Sequence, residues 1–408
     1  MIKIILYTFL AFILYETVVL VRCAVGLVRV SRALRRSNTI LRDGGSSDND
    51  DRHTFGVSVV AIGALSSSAL EARIALDYTY FEFIWVADLK EMSGVEAILE
   101  RYDMSPVDFL PSEGLPLQGV RRVFRSRARR FRRLVIVDCA SSSLADCANC
   151  ATEVASYDLL VVTDNRTRLS SASLTLLVDA MLRKSQGGWV MGLAANRVKA
   201  NELMLAERLL LLAGGGCHSE RVGGRVVVPI YLFSRDDVLA EGGFAEDVDV
   251  VGAMTQRIKS TPRQVRHAPM RHSPHSHSPA MLSVASRYEG FVPLFVGEVQ
   301  SADVTARSHN NPLSGWPTMP VLFSQLAVLW FFTVAISALF EGYFVYDLLL
   351  ISALWMICVL RATLSAIGAV MLSEGEDGSV RMKSVAWQII FSPFLRIRDI
   401  MLPKNFVK

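Results

Sequence analysis

Six cysteines in 408 residues, none at framework spacing, exclude a small disulfide-stapled scaffold. Cys23, Cys139, Cys147, Cys150, Cys217 and Cys358 read instead as reduced thiols, which suits a domain facing the cytoplasm. Cys139, Cys147 and Cys150 have the spacing of three zinc ligands, but no fourth follows at finger spacing. Excess charge of one sign is also missing. Lys and Arg number 43 against 39 Asp and Glu, and a net charge of +4 is too small and scattered to argue for a nucleic-acid partner. No internal repeat is present. Apolar residues are plentiful, at 51% of the chain, and the excess gathers at the two ends.

Ile2 to Leu27 is a hydrophobic stretch of spanning length, broken by Glu16 and Arg22. It has no basic front beyond Lys3 and no clear cleavage site, which argues against a signal peptide. Arg29, Arg32, Arg35 and Arg36 follow it, so the positive-inside rule predicts a cytoplasmic domain after the span. Pro320 to Phe340 and Val345 to Leu372, separated by Glu341-Gly342, predict a membrane hairpin whose basic tail is also cytoplasmic. The expected product is an integral membrane protein, in the inner membrane if bacterial. Trp387 to Phe394 reads either as an interfacial ledge for lipid or as an ordinary surface anchor.

Between the ends, short β-branched runs alternate with helical periodicity, which predicts an α/β domain with a mainly parallel sheet. Strands are expected at Val57–Ile62, Phe81–Ala87, Val107–Leu110, Leu134–Val137, Leu159–Val162, Gly188–Leu193 and Val226–Phe233. Helices are expected at Ser67–Leu76, Gly94–Tyr102, Ser171–Arg183 and Lys199–Leu212. The pivotal stretch is Tyr157 to Leu169 (YDLLVVTDNRTRL), where an apolar run meets Thr163-Asp164-Asn165-Arg166. Polar groups there lie at the carboxyl end of a buried strand, where open α/β sheets bind ligands. Asp164 either holds a metal-phosphate group or simply caps a turn.

Two biased segments stand apart. Eight arginines lie between Arg121 and Arg133; on a helix they would form a dense positive patch, suited to solvent or to anionic lipid. With only Phe124 and Phe131 among them, they do not suit a nucleic-acid site. Pro262 to Pro279, with His267, His272, His275 and His277, reads as an exposed low-complexity loop, with metal binding as the alternative.

Three segments, in order, resemble family 2 glycosyltransferases of the GT-A fold, with the membrane-bound ceramide glucosyltransferase branch most similar. Val57 to Asp88 is similar to the first strand, its helix, the "QDYPxFEI" turn and the second strand with its terminal acid. Tyr157 to Leu174 is similar to the segment carrying "DxD", or "SDSN" in the ceramide branch. Gly242 to Ile258 (GGFAEDVDVVGAMTQRI) is similar to the "GGF…EDxxLxxRl" stretch. The terminal anchors match that branch too. The resulting division is residues 1–36 anchor, 37–54 linker, 55–260 GT-A-like domain, 261–319 His/Pro-rich connection, 320–372 hairpin and 373–408 basic tail.

The resemblance implies a UDP-sugar or similar nucleotide-sugar donor, a lipid acceptor, and a divalent cation, Mn or Mg, held by Asp164. It makes Asp88, Asp164, Asn165 and Arg166 donor-binding positions. Asp247, beside Glu246, becomes the catalytic base of an inverting transfer. Departures are equally specific: Arg166 stands where "DxD" has its second acid, Gly63-Ala64-Leu65-Ser66 lacks the acidic contact after the first strand, and "QxxRW" is absent. They leave open a second reading, an inactive pseudo-glycosyltransferase serving as a membrane scaffold or regulatory subunit.

Overall fold

A computed structural model describes residues 2–43, 55–109, 115, 119–140, 143–183, 188–195, 202–215, 227–247, 250–260, 291–299 and 344–373. The chain forms two compact units. One contains residues 36–196 and 218–303, and the other contains 1–35, 197–217 and 304–408.

The first unit is built on a mixed ten-stranded sheet. Its strands are β1 (Val57–Ile62), β2 (Phe81–Ala87), β3 (Met104–Val107), β4 (Val120–Ser126), β5 (Leu134–Cys139), β6 (Leu159–Asp164), β7 (Thr167–Leu169), β8 (Trp189–Ala195), β9 (Val227–Ser234) and β10 (Phe291–Val299). They lie in the order β3-β4-β5-β2-β1-β6-β9-β8-β10-β7. The central strands β5, β2, β1 and β6 run parallel, with Ile62 opposite both Val86 and Asp164, and Ala87 opposite Asp138. Parallel strands buried on both faces need continuous apolar runs, and VSVVAI, FEFIWVA and LLVV supply them. Val60, Phe83, Ile84, Val135, Leu160 and Val161 are completely buried.

Helices α2 (Ser67–Ile74), α3 (Val95–Arg101), α4 (Leu144–Val154), α5 (Ser173–Arg183), α7 (Arg235–Ala240) and α8 (Val250–Ser260) belong to the same unit. A polar clamp sets the start of β6. Buried Glu82 accepts from Ser58 Oγ at 2.7 Å, Ser156 N at 2.5 Å and Ser156 Oγ at 3.0 Å, so three donors on two residues compensate its burial.

The arginine-rich stretch departs from expectation. It is not a helix but β4 followed by a 3-10 turn at Arg129–Phe131, and strand alternation sends its arginines to opposite faces. Arg125 turns towards Glu82 and Ser156, and Arg133 lies over the Phe81 ring at 4.6 Å, while Arg122, Arg127, Arg129 and Arg132 stay exposed. Strands β7 and β10, paired antiparallel with Gly297 opposite Leu169, were not expected. The histidine-rich tract lies outside the described residues.

The second unit contains most of α1 (Ile2–Asp43), α6 (Glu202–Gly215) and α9 (Phe344–Ser373). The expected N-terminal span and second hairpin arm are thus helical, while residues 320–340 of the first arm lie outside the described residues. Among the described residues, no helix is long and apolar enough to cross a membrane. Charges interrupt both candidates: Glu16 and Arg22 lie in α1, and Asp347 and Arg361 in α9.

Candidate functional site

The carboxyl ends of β5, β2, β1 and β6 form one edge, and three of the sequence-derived acids or their neighbours lie along it. Asp164 is the last residue of β6. Its Oδ1 accepts from Arg166 N at 3.1 Å, Thr167 N at 2.8 Å and Thr167 Oγ1 at 2.6 Å. The turn-capping role is therefore real, and it uses a single oxygen; Oδ2 carries no hydrogen bond among the described residues. One oxygen fixes the carboxylate in direction while the other remains available to a ligand.

Sequence reasoning did not single out the residue beneath this turn. Arg73, buried on α2, donates through Nη2 to the carbonyls of Asn165 and Thr167, both at 2.8 Å. Burial pushes its pKa down, and the nearby Asp164 charge opposes that shift. Asn165 donates to Ala64 O at 3.1 Å, closing the turn against the end of β1. There Gly63 has φ +104, and a Cβ would meet the Asn165 amide at 3.2 Å. Arg166 is half-exposed in the turn.

Asp88 follows β2. Strand β1 separates β2 from β6, so the Asp88 and Asp164 backbones stand roughly 10 Å apart at ordinary strand spacing. Asp88 is instead drawn to Arg121 of β4, which ion-pairs with it and with Asp138 at the end of β5. Arg121 donates to Asp138 through Nε at 3.0 Å and Nη2 at 2.5 Å, a two-pronged contact. Asp138 also accepts from Leu89 N at 3.1 Å. The Arg121 hydrogen bond holds the Asp88 carboxyl below its ordinary pKa of 3.8, and the two carboxylates push Arg121 above its own.

The Glu246-Asp247 segment is tied to the same edge. Ser143 follows β5, caps α4 and donates to Glu246 Oε2 at 2.5 Å. The preceding loop is fixed by Asn149, which donates to Phe244 O at 2.9 Å and accepts from Phe244 N at 2.6 Å. Gly243 has φ +84, and a Cβ there would lie 2.5 Å from Asn149 Oδ1, so the GG pair meets a local geometric need. Glu246 and Asp247 are both exposed ahead of α8.

The thiols behave as a packed cluster. Cys139 Sγ and Cys150 Sγ are 3.8 Å apart in the core, and hydrogen bonding from Cys139 together with burial pushes the Cys147 and Cys150 thiols up. Among the described residues no group of three His, Cys, Asp or Glu is arranged to hold a metal ion. Asp164 fits a cation only as a single-oxygen ligand, with further oxygens coming from a bound phosphate.

No family model matches the chain, and no curated protein sequence matches it. Solved structures do. A Pyrobaculum calidifontis mannosyltransferase in complex with GDP-mannose and Mn²⁺ is similar over 96% of this chain and 100% of its own, at 14% identity and a TM-score of 0.36. TarS residues 1–349 of S. aureus are similar over 84% of this chain and 80% of their own, at 10% identity and a TM-score of 0.32. The same protein with UDP-GlcNAc covers 86% of this chain and 93% of its own, at 9% identity and a TM-score of 0.34.

Proposed function

We propose that the chain is a membrane-bound glycosyltransferase that moves a sugar from a nucleotide-sugar donor to a lipid acceptor with inversion. The observation that carries this reading is Asp164. Its Oδ1 is saturated by its own turn and its Oδ2 is left for a ligand, at the carboxyl edge of a buried parallel strand. Arg73 beneath the turn adds fixed positive charge that suits a diphosphate. A divalent cation would be held by Asp164 Oδ2 and the donor's own phosphate oxygens, and when bound it neutralises charge on the leaving diphosphate.

In the transfer, the acceptor hydroxyl attacks the anomeric carbon, and the bond from that carbon to the diphosphate breaks with its electron pair. The hydroxyl proton passes to a carboxylate. Asp247 is the base in this reading, and Glu246, held by Ser143, fixes the segment that presents it. Donor contacts fall to Asp88, Asp164, Asn165 and Arg166. The basic residues that follow the first apolar stretch support a cytoplasmic face for this unit.

The scaffold reading has one observation in its favour: Asp88 is already engaged by Arg121. Calorimetric titration of UDP and GDP into detergent-purified protein, with and without Mn²⁺, separates the two. The enzyme reading expects binding that is lost in Asp164→Ala. Binding without Mn²⁺ assigns the phosphate to the arginines. No binding of either nucleotide to folded protein in any condition leaves the scaffold.

A further inference from the structure

The second unit is inverted relative to a water-soluble helical bundle. On α1 the inward positions are Glu16, Val19, Cys23, Gly26 and Val30, while Tyr7, Leu10, Leu14, Val18, Val21, Val25 and Val28 face outward and exposed. The outward face is thus bulkier and more apolar than the inward one. It is interrupted by exposed Arg22 and ends where Arg32, Arg35 and Arg36 take over the exposed positions. From Tyr7 to Val28 it extends about 31 Å at 1.5 Å per residue, close to the hydrocarbon thickness of a bilayer.

The described part of α9 repeats the pattern. Arg361, Ala362, Ser365, Ala366, Gly368 and Ala369 are buried, while Met356, Leu360 and Ile367 are exposed. One cluster of charged side chains lies inside the unit. Arg361 donates to Glu16 at 2.6 Å and to Glu207 of α6, and Arg361 and Glu16 are each only 1% exposed.

Helix α6 is locked into this arrangement. A Cβ on Gly26 would lie 1.9 Å from Leu210 O, and one on Gly214 would lie 1.9 Å from Arg22 O, so α1 and α6 cross with backbones in direct contact. Small residues permitting such an approach are how helices associate where burial from water supplies no drive. Arg29 Nη1 caps α6 by donating to Ala213 O at 2.5 Å.

We propose that α6 is itself a membrane-embedded element, which with α1 and α9 presents its outward face to the acyl chains of a bilayer. The proposal rests on the membrane part of the reading above and not on its enzymology. At 14 residues α6 is about 21 Å long and too short to span. It lies between β8 and β9, and the chain leaves after Ala195 and returns at Val227, which pair in the sheet. Both ends of α6 therefore connect in sequence to paired positions of one sheet, as a re-entrant segment requires. Leu211 and Leu212 are half-exposed and supply its lipid contact. Half-exposed Arg208 shares that face, where its guanidinium can snorkel towards lipid headgroups.

The test uses the full chain reconstituted in phosphatidylcholine–phosphatidylglycerol vesicles, with photoreactive benzoylphenylalanine replacing Val21, Leu212 or, as the aqueous control, Glu96. Lipid adducts at positions 21 and 212 but not at 96, read by mass spectrometry, are expected. Adducts at 21 alone would overturn the role of α6 while leaving the α1 anchor intact. Protein–protein adducts at both positions, with no lipid adduct, would overturn the bilayer and make the outward face a contact between copies. Brominated-lipid quenching of a dye on Leu212→Cys in a chain lacking the native cysteines repeats the test without photochemistry. Quenching by aqueous iodide instead would also overturn it.

Discussion

The two units solve the burial problem in opposite ways. In the sheet unit the interior is apolar, and its buried carboxylates sit near the margins, Glu82 held by backbone and serine donors and Asp138 by half-exposed Arg121. In the helical unit Arg361, Glu16 and Glu207 meet inside while Leu, Val and Met side chains point out. Under the membrane reading proposed above, water is the solvent for the first arrangement and lipid for the second, because the hydrophobic effect rewards apolar burial only against water.

The comparison breaks most sharply at Arg361. Arg361→Met removes the sole cation of the Glu16–Arg361–Glu207 cluster and strands two buried carboxylates; the expected loss is about 3–5 kcal/mol. Thermal unfolding of the detergent-solubilised variant checks it. Replacing all three together, Glu16→Leu, Glu207→Leu and Arg361→Met, should recover most of that loss, because a well-packed apolar substitute is often neutral. Failure of the triple variant to recover would mean that the charges do more than balance one another.

In the sheet unit the corresponding break is smaller. Asn149→Ala deletes both hydrogen bonds to Phe244 and leaves buried backbone groups unpaired, with an expected cost of about 1–3 kcal/mol. Because Asn149 fixes the loop that precedes Glu246, the same variant should lower any transferase activity by more than its stability loss explains. Leu160→Ala, a cavity in the same unit away from that loop, should cost about 2–5 kcal/mol and serves as the control.

How much of this was legible follows from the physics of each feature. The central strands were readable because burial on both faces demands uninterrupted apolar runs, and Asp164 was readable as the residue that ends one. Arg121 and Arg73 were not. Arg121 is one of eight arginines, and only the pairing of β4 with β5, which sets Arg122 opposite Asp138, brings its side chain to the strand end. Arg73 looks like any arginine on an amphipathic helix until the turn it supports folds over it. Strand β10 joins the sheet more than a hundred residues after its partner β7, a separation no local pattern encodes. Helix α6 was visible as a helix, yet periodicity does not say whether water, protein or lipid covers it.

The smallest effect sharpens the comparison at the ligand edge. Asp88 and Asp164 end two parallel strands, but one is held by a cation and the other by its own turn. The Asp88 pKa is lowered by Arg121, so the folded state binds this proton less readily than the unfolded one. Its stabilising contribution is present above the ordinary carboxyl value of 3.8 and is lost as pH falls through the lower folded value. In Arg121→Gln that share of the acid sensitivity should vanish, so the difference in stability between wild type and variant should shrink as pH drops below about 4. Unfolding midpoints measured from pH 7 to pH 3 for both proteins give the test; parallel profiles would mean that the Arg121–Asp88 contact does not contribute to acid sensitivity. The same variant frees Asp88 for a donor. Tighter nucleotide binding in Arg121→Gln would mark Arg121 as a competitor for that carboxylate, and weaker binding would mark it as part of the donor contact itself.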